Sequence, residues 1–208
     1  MAELVLDTSV RGAGLVALSD GGAVVGSRNV TGGAASLHAS LADLLRAAPA
    51  EVSSVLVARG PGSYIGVRSG LAAGLGFAQG RGIPIRLVGS LQVVAETVDP
   101  VDARVLVLRS AGRGGVLGQP FVPSALGWAA AGPSRLLSRG RDTSIPWLGA
   151  AAIIDPDGMA PAGAEARRLS PVRGLEQALA RLAAAAEGRG VPYDQVSADY
   201  AIRVGAER

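Results

Sequence analysis

The 208-residue chain has no lysine, no cysteine and a single histidine, His38. Each gap removes a chemistry. Without lysine there is no Schiff-base amine, no lysine general base and no phosphate-loop lysine. Without cysteine there are no disulfides, thiolate nucleophiles or cysteine metal ligands, a usage that fits a reducing cytoplasm. His38 has Ala42 one helical turn further on, so a His-x-x-x-His metal pair is missing. No carboxylate partner for that histidine is evident, so no nucleophile–base pair can be assembled around it. Aromatics are scarce: two Trp, three Tyr and two Phe leave the core to small aliphatic side chains. No apolar run reaches the roughly 18 residues of a membrane helix. Residues 1–7 lack the basic start and apolar centre of a secretory signal. All 20 basic residues are arginines, yet the net charge is only +3 and no arginine run resembles a nucleic-acid-binding tail. The expectation is a cytoplasmic chain with no membrane span, no metal site and no catalytic set of its own.

What is present centres on Gly60-Pro61-Gly62-Ser63-Tyr64-Ile65-Gly66-Val67-Arg68-Ser69-Gly70. The apolar run Val55-Leu56-Val57-Ala58 precedes it and a small, apolar stretch follows, which reads as strand, tight turn, helix. Pro61 suits the second position of a turn, and Ser63 is a good N-cap. Free N–H groups at such a helix start offer a phosphate site, with Gly60, Gly62 and Ser63 as its residues. The plainer alternative is a turn that binds nothing, since the spacing fits neither a P-loop nor a dinucleotide fingerprint. Gly66, Gly70 and Gly74 share one helix face. They weaken the helix by roughly 1 kcal/mol each relative to alanine. Something must approach that face closely, either another part of the chain or a partner helix.

The first half reads as β-β-β-α-β-α-β-α. Leu4-Val5-Leu6 leads into Asp7-Thr8-Ser9, and Asp20-Gly21 marks a hairpin. Asp7 with Thr8 either supports a nucleotide phosphate or caps its own turn through the backbone. Leu37, Leu41, Leu44 and Leu45 mark one face of a helix with Ser36 as its expected cap. A second helix runs from Ser63 to residue 80, and a third from Gly89 to about Thr97. Asp99-Pro100 divides the chain into an N-terminal domain, residues 1–98, and a smaller second domain, residues 99–208. That second part is rich in Gly, Pro and Ala and is expected to be short and degenerate, with strands near 104–108, 115–117, 121–122 and 151–154. Trp128 and Trp147 are expected to close its small core, and residues 174–187 form its C-terminal helix. The acidic pairs Asp99/Asp102 and Asp155/Asp157 read as turn residues.

The glycine signature resembles the G-P-G-S-[FY]-T-G-[VL]-R-x-G of the TsaB (YeaZ) family. Leu6-Asp7-Thr8-Ser9, Leu37-His38-Ala39-Ser40-Leu41, Gly82-Ile83-Pro84, Gly89-Ser90-Leu91 and Asp102-Ala103-Arg104 follow in the family's order. The resemblance covers residues 4–104. The chain departs from it at Ile65, where the family has Thr, and at Val105-Leu106-Val107, where the family has an R-x-E-V-Y-like strand. The resemblance implies an actin/Hsp70/sugar-kinase-like (ASKHA) α/β fold. It also implies a non-catalytic paralogue of TsaD, the subunit to which metal and catalytic residues belong. Such proteins pair with TsaD and, with the ATPase TsaE, support N6-threonylcarbamoyladenosine formation at position 37 of ANN-decoding tRNAs. No cofactor is intrinsic, ATP is used through the partners, and tRNA is met only in the complex.

On that basis His38, Leu41, Leu45, Tyr64, Gly66, Arg68, Gly70 and Gly74 are expected to form a helical interface with TsaD or with a second copy of the chain. Gly70→Leu should then leave the monomer folded and block pairing. Arg68, just off the glycine face, would clamp the turn's carbonyls or reach a partner carboxylate. The rival readings are a small ASKHA-type phosphotransferase or nucleotide-binding protein, a metallopeptidase, and a plain RNA-binding module.

Overall fold

The computed structural model describes residues 1–10, 12–47, 51–112, 115–138, 150–160, 167–185, 190–199 and 202–203. The chain opens with an antiparallel meander, β1 (Ala2–Val10), β2 (Ala13–Asp20) and β3 (Ala23–Val30). Gly21 and Gly22, at φ 56° and 87°, form the two-residue loop between β2 and β3. Both need the left-handed region that glycine takes without strain. Then come α1 (Ala34–Ala47), β4 (Val52–Ala58), α2 (Tyr64–Arg81), β5 (Ile85–Val88) and α3 (Ser90–Ala95). The first sheet has the order β3-β2-β1-β4-β5, with β4 parallel to both neighbours.

Local chemistry sets the ends of these elements. α1 begins at Ala34, ahead of the expected cap Ser36, because Gly33 supplies the carbonyl that accepts from Leu37 N. Ser63 caps α2, its hydroxyl accepting from Gly66 N. Gly82, at φ 65°, closes that helix by donating to the Ala78 and Gln79 carbonyls. None of the described helices is long and apolar enough to cross a membrane.

Side chains alternate across the sheet with a period of two. Leu4, Leu6, Val16 and Leu18 face α1 and α2, packing with Leu37, Leu44, Val67 and Leu71. Val5, Leu15, Ala17 and Leu56 face the other way. That second face is covered by α4 (Leu175–Ala185), through Ala178, Leu179 and Ala183.

The second half departs from its expected degeneracy. It contains β6 (Val105–Gly112), β7 (Gly115–Ser124), β8 (Gly127–Ala130), β9 (Arg135–Ser138), β10 (Ala152–Ile154), β11 (Arg167–Leu169) and β12 (Ile202–Arg203). They form a seven-stranded sheet in the order β11-β10-β6-β7-β9-β12, with β8 paired to β7. Strands as short as β10 and β11, each of three residues, carry almost no periodic signal. Trp128 is buried in this part with Phe121, Val105 and Val107, while Trp147 lies outside the described residues.

The division at 98/99 also needs correction. The helix expected at the end of the second part, α4, packs instead on the first sheet, whose apolar second face would otherwise meet water. Val191, Tyr193, Val196 and Ala198 likewise pack on the first core. The two halves meet at the end of α3. Thr97 O accepts from Val172 N and Arg173 N. The Arg173 guanidinium binds the Glu96 carbonyl and the Asp99 carboxylate. Glu96 itself is buried, and its Oε1 accepts from Trp128 N at 2.8 Å. Trp128 Nε1 donates to Val98 O at 3.0 Å. Asp99 is thus an ion-pair partner rather than a bare turn residue. The same holds for Asp155, paired with Arg168, and Asp157, paired with Arg109.

Glu96→Ala should therefore lower the unfolding free energy by about 2 kcal/mol, the cost of stranding a buried donor. Urea unfolding followed by tryptophan fluorescence checks this. A midpoint equal to that of the parent chain would contradict the anchoring role.

Candidate functional site

The site is built where β1 ends and α2 begins. Gly66, Gly70 and Gly74 face inward, against the chain's own sheet. A Cβ on Gly66 would overlap Thr8 O, and one on Gly70 would overlap Thr8 Oγ1. One on Gly74 would lie 2.5 Å from Val57 Cγ2. Thr8 Oγ1 donates to Gly66 O at 2.7 Å, locking the approach. The expected partner-facing stripe is therefore corrected: Gly70 and Gly74 are buried, and Gly66 is half-buried against Thr8. The expectation that Gly70→Leu leaves the monomer folded falls with it. Leu41 is also an internal residue, at 8% exposure, and half-buried Leu45 packs against the same core.

The glycine turn is a clasp. Gly60, at φ 101°, donates its N–H to Ser90 Oγ at 3.1 Å, and its carbonyl accepts from Ser90 N at 2.8 Å. Ser63 N donates to Ser9 O at 2.7 Å, and Asp199 N donates to Arg59 O at 2.7 Å. A Cβ on Gly62 would sit 2.5 Å from Ser9 O. Two amides of the expected phosphate loop, those of Gly60 and Ser63, are thus already engaged within the chain. Asp7 is buried, with Oδ1 accepting from Ser9 N at 2.8 Å, which is the backbone-capping alternative. Thr8 is committed to Gly66. A cleft of roughly 190 Å³ lies between the starts of α1 and α2, where Thr8 and Ser63 meet Val30, Leu37 and Ile65. Of its polar side chains, Thr8 and Ser63 are committed to internal bonds, and Ser69 also lines it.

What remains outside is a different face of α2. Val67, Leu71 and Ala78 point inward, so positions half a turn away point outward. Ile65 is 74% exposed and Tyr64 56% exposed. Arg68, Ala72 and Gly76 are also exposed. The Arg68 guanidinium stacks over the Tyr64 ring at 4.0 Å. On α1, His38 is exposed, and its Nδ1–H donates to Ala34 O at 2.8 Å. His38, Tyr64 and Arg68 are thus at the surface as an interface requires. Ile65, Ala72 and Gly76 share this outward face and are not among the residues expected from the sequence. The helical period counted from the inward Val67 and Leu71, rather than from the glycines, would have found them. Among the described residues no group of three or more His, Cys, Asp or Glu is placed to hold a metal.

A family model described as TsaD, tRNA N6-adenosine threonylcarbamoyltransferase, matches residues 29–121, the span from the end of β3 to the middle of β7. The chain is 39% identical over 69 residues to the tRNA threonylcarbamoyladenosine biosynthesis protein TsaB of Bacillus subtilis. That match spans 33% of this chain and 30% of the relative. YeaZ from Pseudomonas aeruginosa superimposes with a TM-score of 0.72 at 24% identity, over 96% of this chain and 99% of the other. A second P. aeruginosa structure, titled as similar to peptidase YeaZ, gives the same score and identity over 96% and 98%. The two-sheet α/β architecture is that of the ASKHA-like fold. Both sequence matches are partial: the domain model covers less than half of the chain, and the B. subtilis match about a third of either protein.

Gly70→Leu is expected to abolish folding. Gly70→Ala should cost about 2 kcal/mol, since the added methyl must displace the Thr8 hydroxyl from its bond to Gly66 O. Far-UV circular dichroism and denaturant titration check both. A stably folded Gly70→Leu monomer would show that the inward placement is wrong.

Proposed function

We propose that the chain is an accessory subunit in the synthesis of threonylcarbamoyladenosine on tRNA, acting by pairing with a TsaD-type partner. The observation that carries this is the outward face of α2. A 74%-exposed isoleucine lies beside a Tyr64–Arg68 stack on a helix of small residues, inside the stretch that matches the TsaD-type model. Tyrosine and arginine are the residues that dominate interface energetics, and small neighbours let a partner helix approach closely. α1 flanks this face and contributes His38. A second copy of the chain is the alternative occupant.

In this reading the chemistry belongs to the complex. ATP is consumed by the partners, TsaE among them, tRNA is bound by the assembly, and the setting is the cytoplasm. One histidine and the lack of lysine and cysteine agree with a subunit that does not catalyse alone.

Ile65→Glu and Ala72→Arg place charge on this face without touching the core. Each should keep stability within about 0.5 kcal/mol of the parent chain and abolish co-elution with TsaD in size-exclusion chromatography. Normal co-elution of both folded variants would sink the proposal.

A further inference from the structure

We propose that a pocket beside the C-terminal half of α4 binds a small zwitterion of the α-amino-acid class, its ammonium toward Glu96 and its carboxylate on Arg181. The pocket borders α4, on the side of the first sheet away from α1 and α2, and does not rest on the pairing reading.

Four elements build it, around a space of about 390 Å³. The β2–β3 loop gives Gly21 and Gly22, and the end of α3 gives Glu96. The β7–β8 turn gives Leu126, and α4 gives Arg181 and Leu182. The loop lies close against the helix, since a Cβ on Gly22 would come within 3.3 Å of Ala184 Cβ.

Two of the described residues lining this pocket are charged, with opposite signs, and they do not meet. Glu96 is 2% exposed. Its Oε1 accepts from Trp128 N at 2.8 Å and from Gln92 Nε2 at 3.2 Å. Both donors are neutral, and among the described residues no cation pairs with this carboxylate. A buried carboxylate without a counter-charge is costly. Arg181 is exposed and has no hydrogen bond or ion pair among the described residues. Glu96 is not free to swing toward it. The carboxylate lies flat against Gly127, where a Cβ would sit 2.5 Å from Oε1 and 2.6 Å from Oε2. Moving it would also release Trp128 N.

The fixed acid and the separate arginine select the ligand class. An anion alone would gain Arg181 but face Glu96, and a cation alone would meet the reverse. A ligand carrying both charges gains at both ends. Its carboxylate suits the planar fork of arginine, and its ammonium supplies the counter-charge that Glu96 lacks. Leu126, 69% exposed, and half-buried Leu182 offer apolar surface for a side chain between the charges.

The test follows backbone amide shifts of the isotope-labelled full chain during titration with L-leucine. Saturable shifts at Gly21, Gly22, Leu126 and residues 181–185 are expected. Isocaproate lacks the ammonium and L-leucinamide lacks the carboxylate, and each should bind at least roughly tenfold more weakly. Arg181→Gln alters an exposed side chain and should weaken leucine binding by a similar factor. Glu96→Gln keeps a carbonyl acceptor for Trp128 N and should do the same. No saturable shift at this pocket would overturn the proposal. So would equal binding of either analogue, or undiminished binding by Arg181→Gln, whatever Glu96→Gln shows.

Discussion

The close seating of α2 on the first sheet is the contact on which the rest of the structure depends. Three glycines remove the side chains that would hold the helix off, and the helix comes near enough for Thr8 Oγ1 to bond Gly66 O. The helix loses intrinsic stability by carrying them. That loss is offset by burial of Val67, Leu71 and Ala78 against β1 and β4. Because the inner face of α2 is filled by the sheet, its opposite face is turned outward. The seating also fixes the glycine turn, whose carbonyl and amides link β1, β4 and the start of α3.

The first sheet is apolar on both sides, and this explains why the chain does not separate into sequential domains. α1 and α2 cover one side. The other is covered by α4, whose Ala178, Leu179 and Ala183 pack against it. Its return makes the second sheet an insertion between α3 and α4 in all but the last residues. The junction is polar and specific: Glu96, Trp128 and Arg173 exchange hydrogen bonds with backbone groups from both halves. Long-range pairing of this kind closes the fold through side-chain contacts between residues far apart in the chain.

In the proposed pairing, the outward surface of α2 rather than the glycine turn meets the partner. The residues that resemble a phosphate loop are absorbed by internal bonds, and what they accomplish is to present α2. Its outward face carries the apolar and Tyr–Arg character that a partner helix would meet.

The sequence by itself determined the local order of the first half. The strand–turn–helix at residues 52–81, the Asp20-Gly21 hairpin, the Ser63 cap and the Gly82 stop follow from backbone freedom and hydrogen-bond supply within a few residues. The glycine spacing also announced that something must come close to α2. It could not say what, because a bare helix face looks the same whether it meets a sheet or a partner. Only the tertiary structure decided that Thr8 and Val57 fill it, and that Leu41, Gly70 and Gly74 are internal while Ile65, Ala72 and Gly76 are outside. The second sheet was legible in part: the runs at 104–108, 115–117, 121–122 and 151–154 fall on β6, β7 and β10, whereas β8, β9 and β11, of three or four residues, have no period to read and gain their identity from neighbours far along the chain. The placement of α4 was hidden for the same reason: amphipathicity shows that a helix has an apolar face, and the sheet that receives it is chosen by burial across the whole molecule.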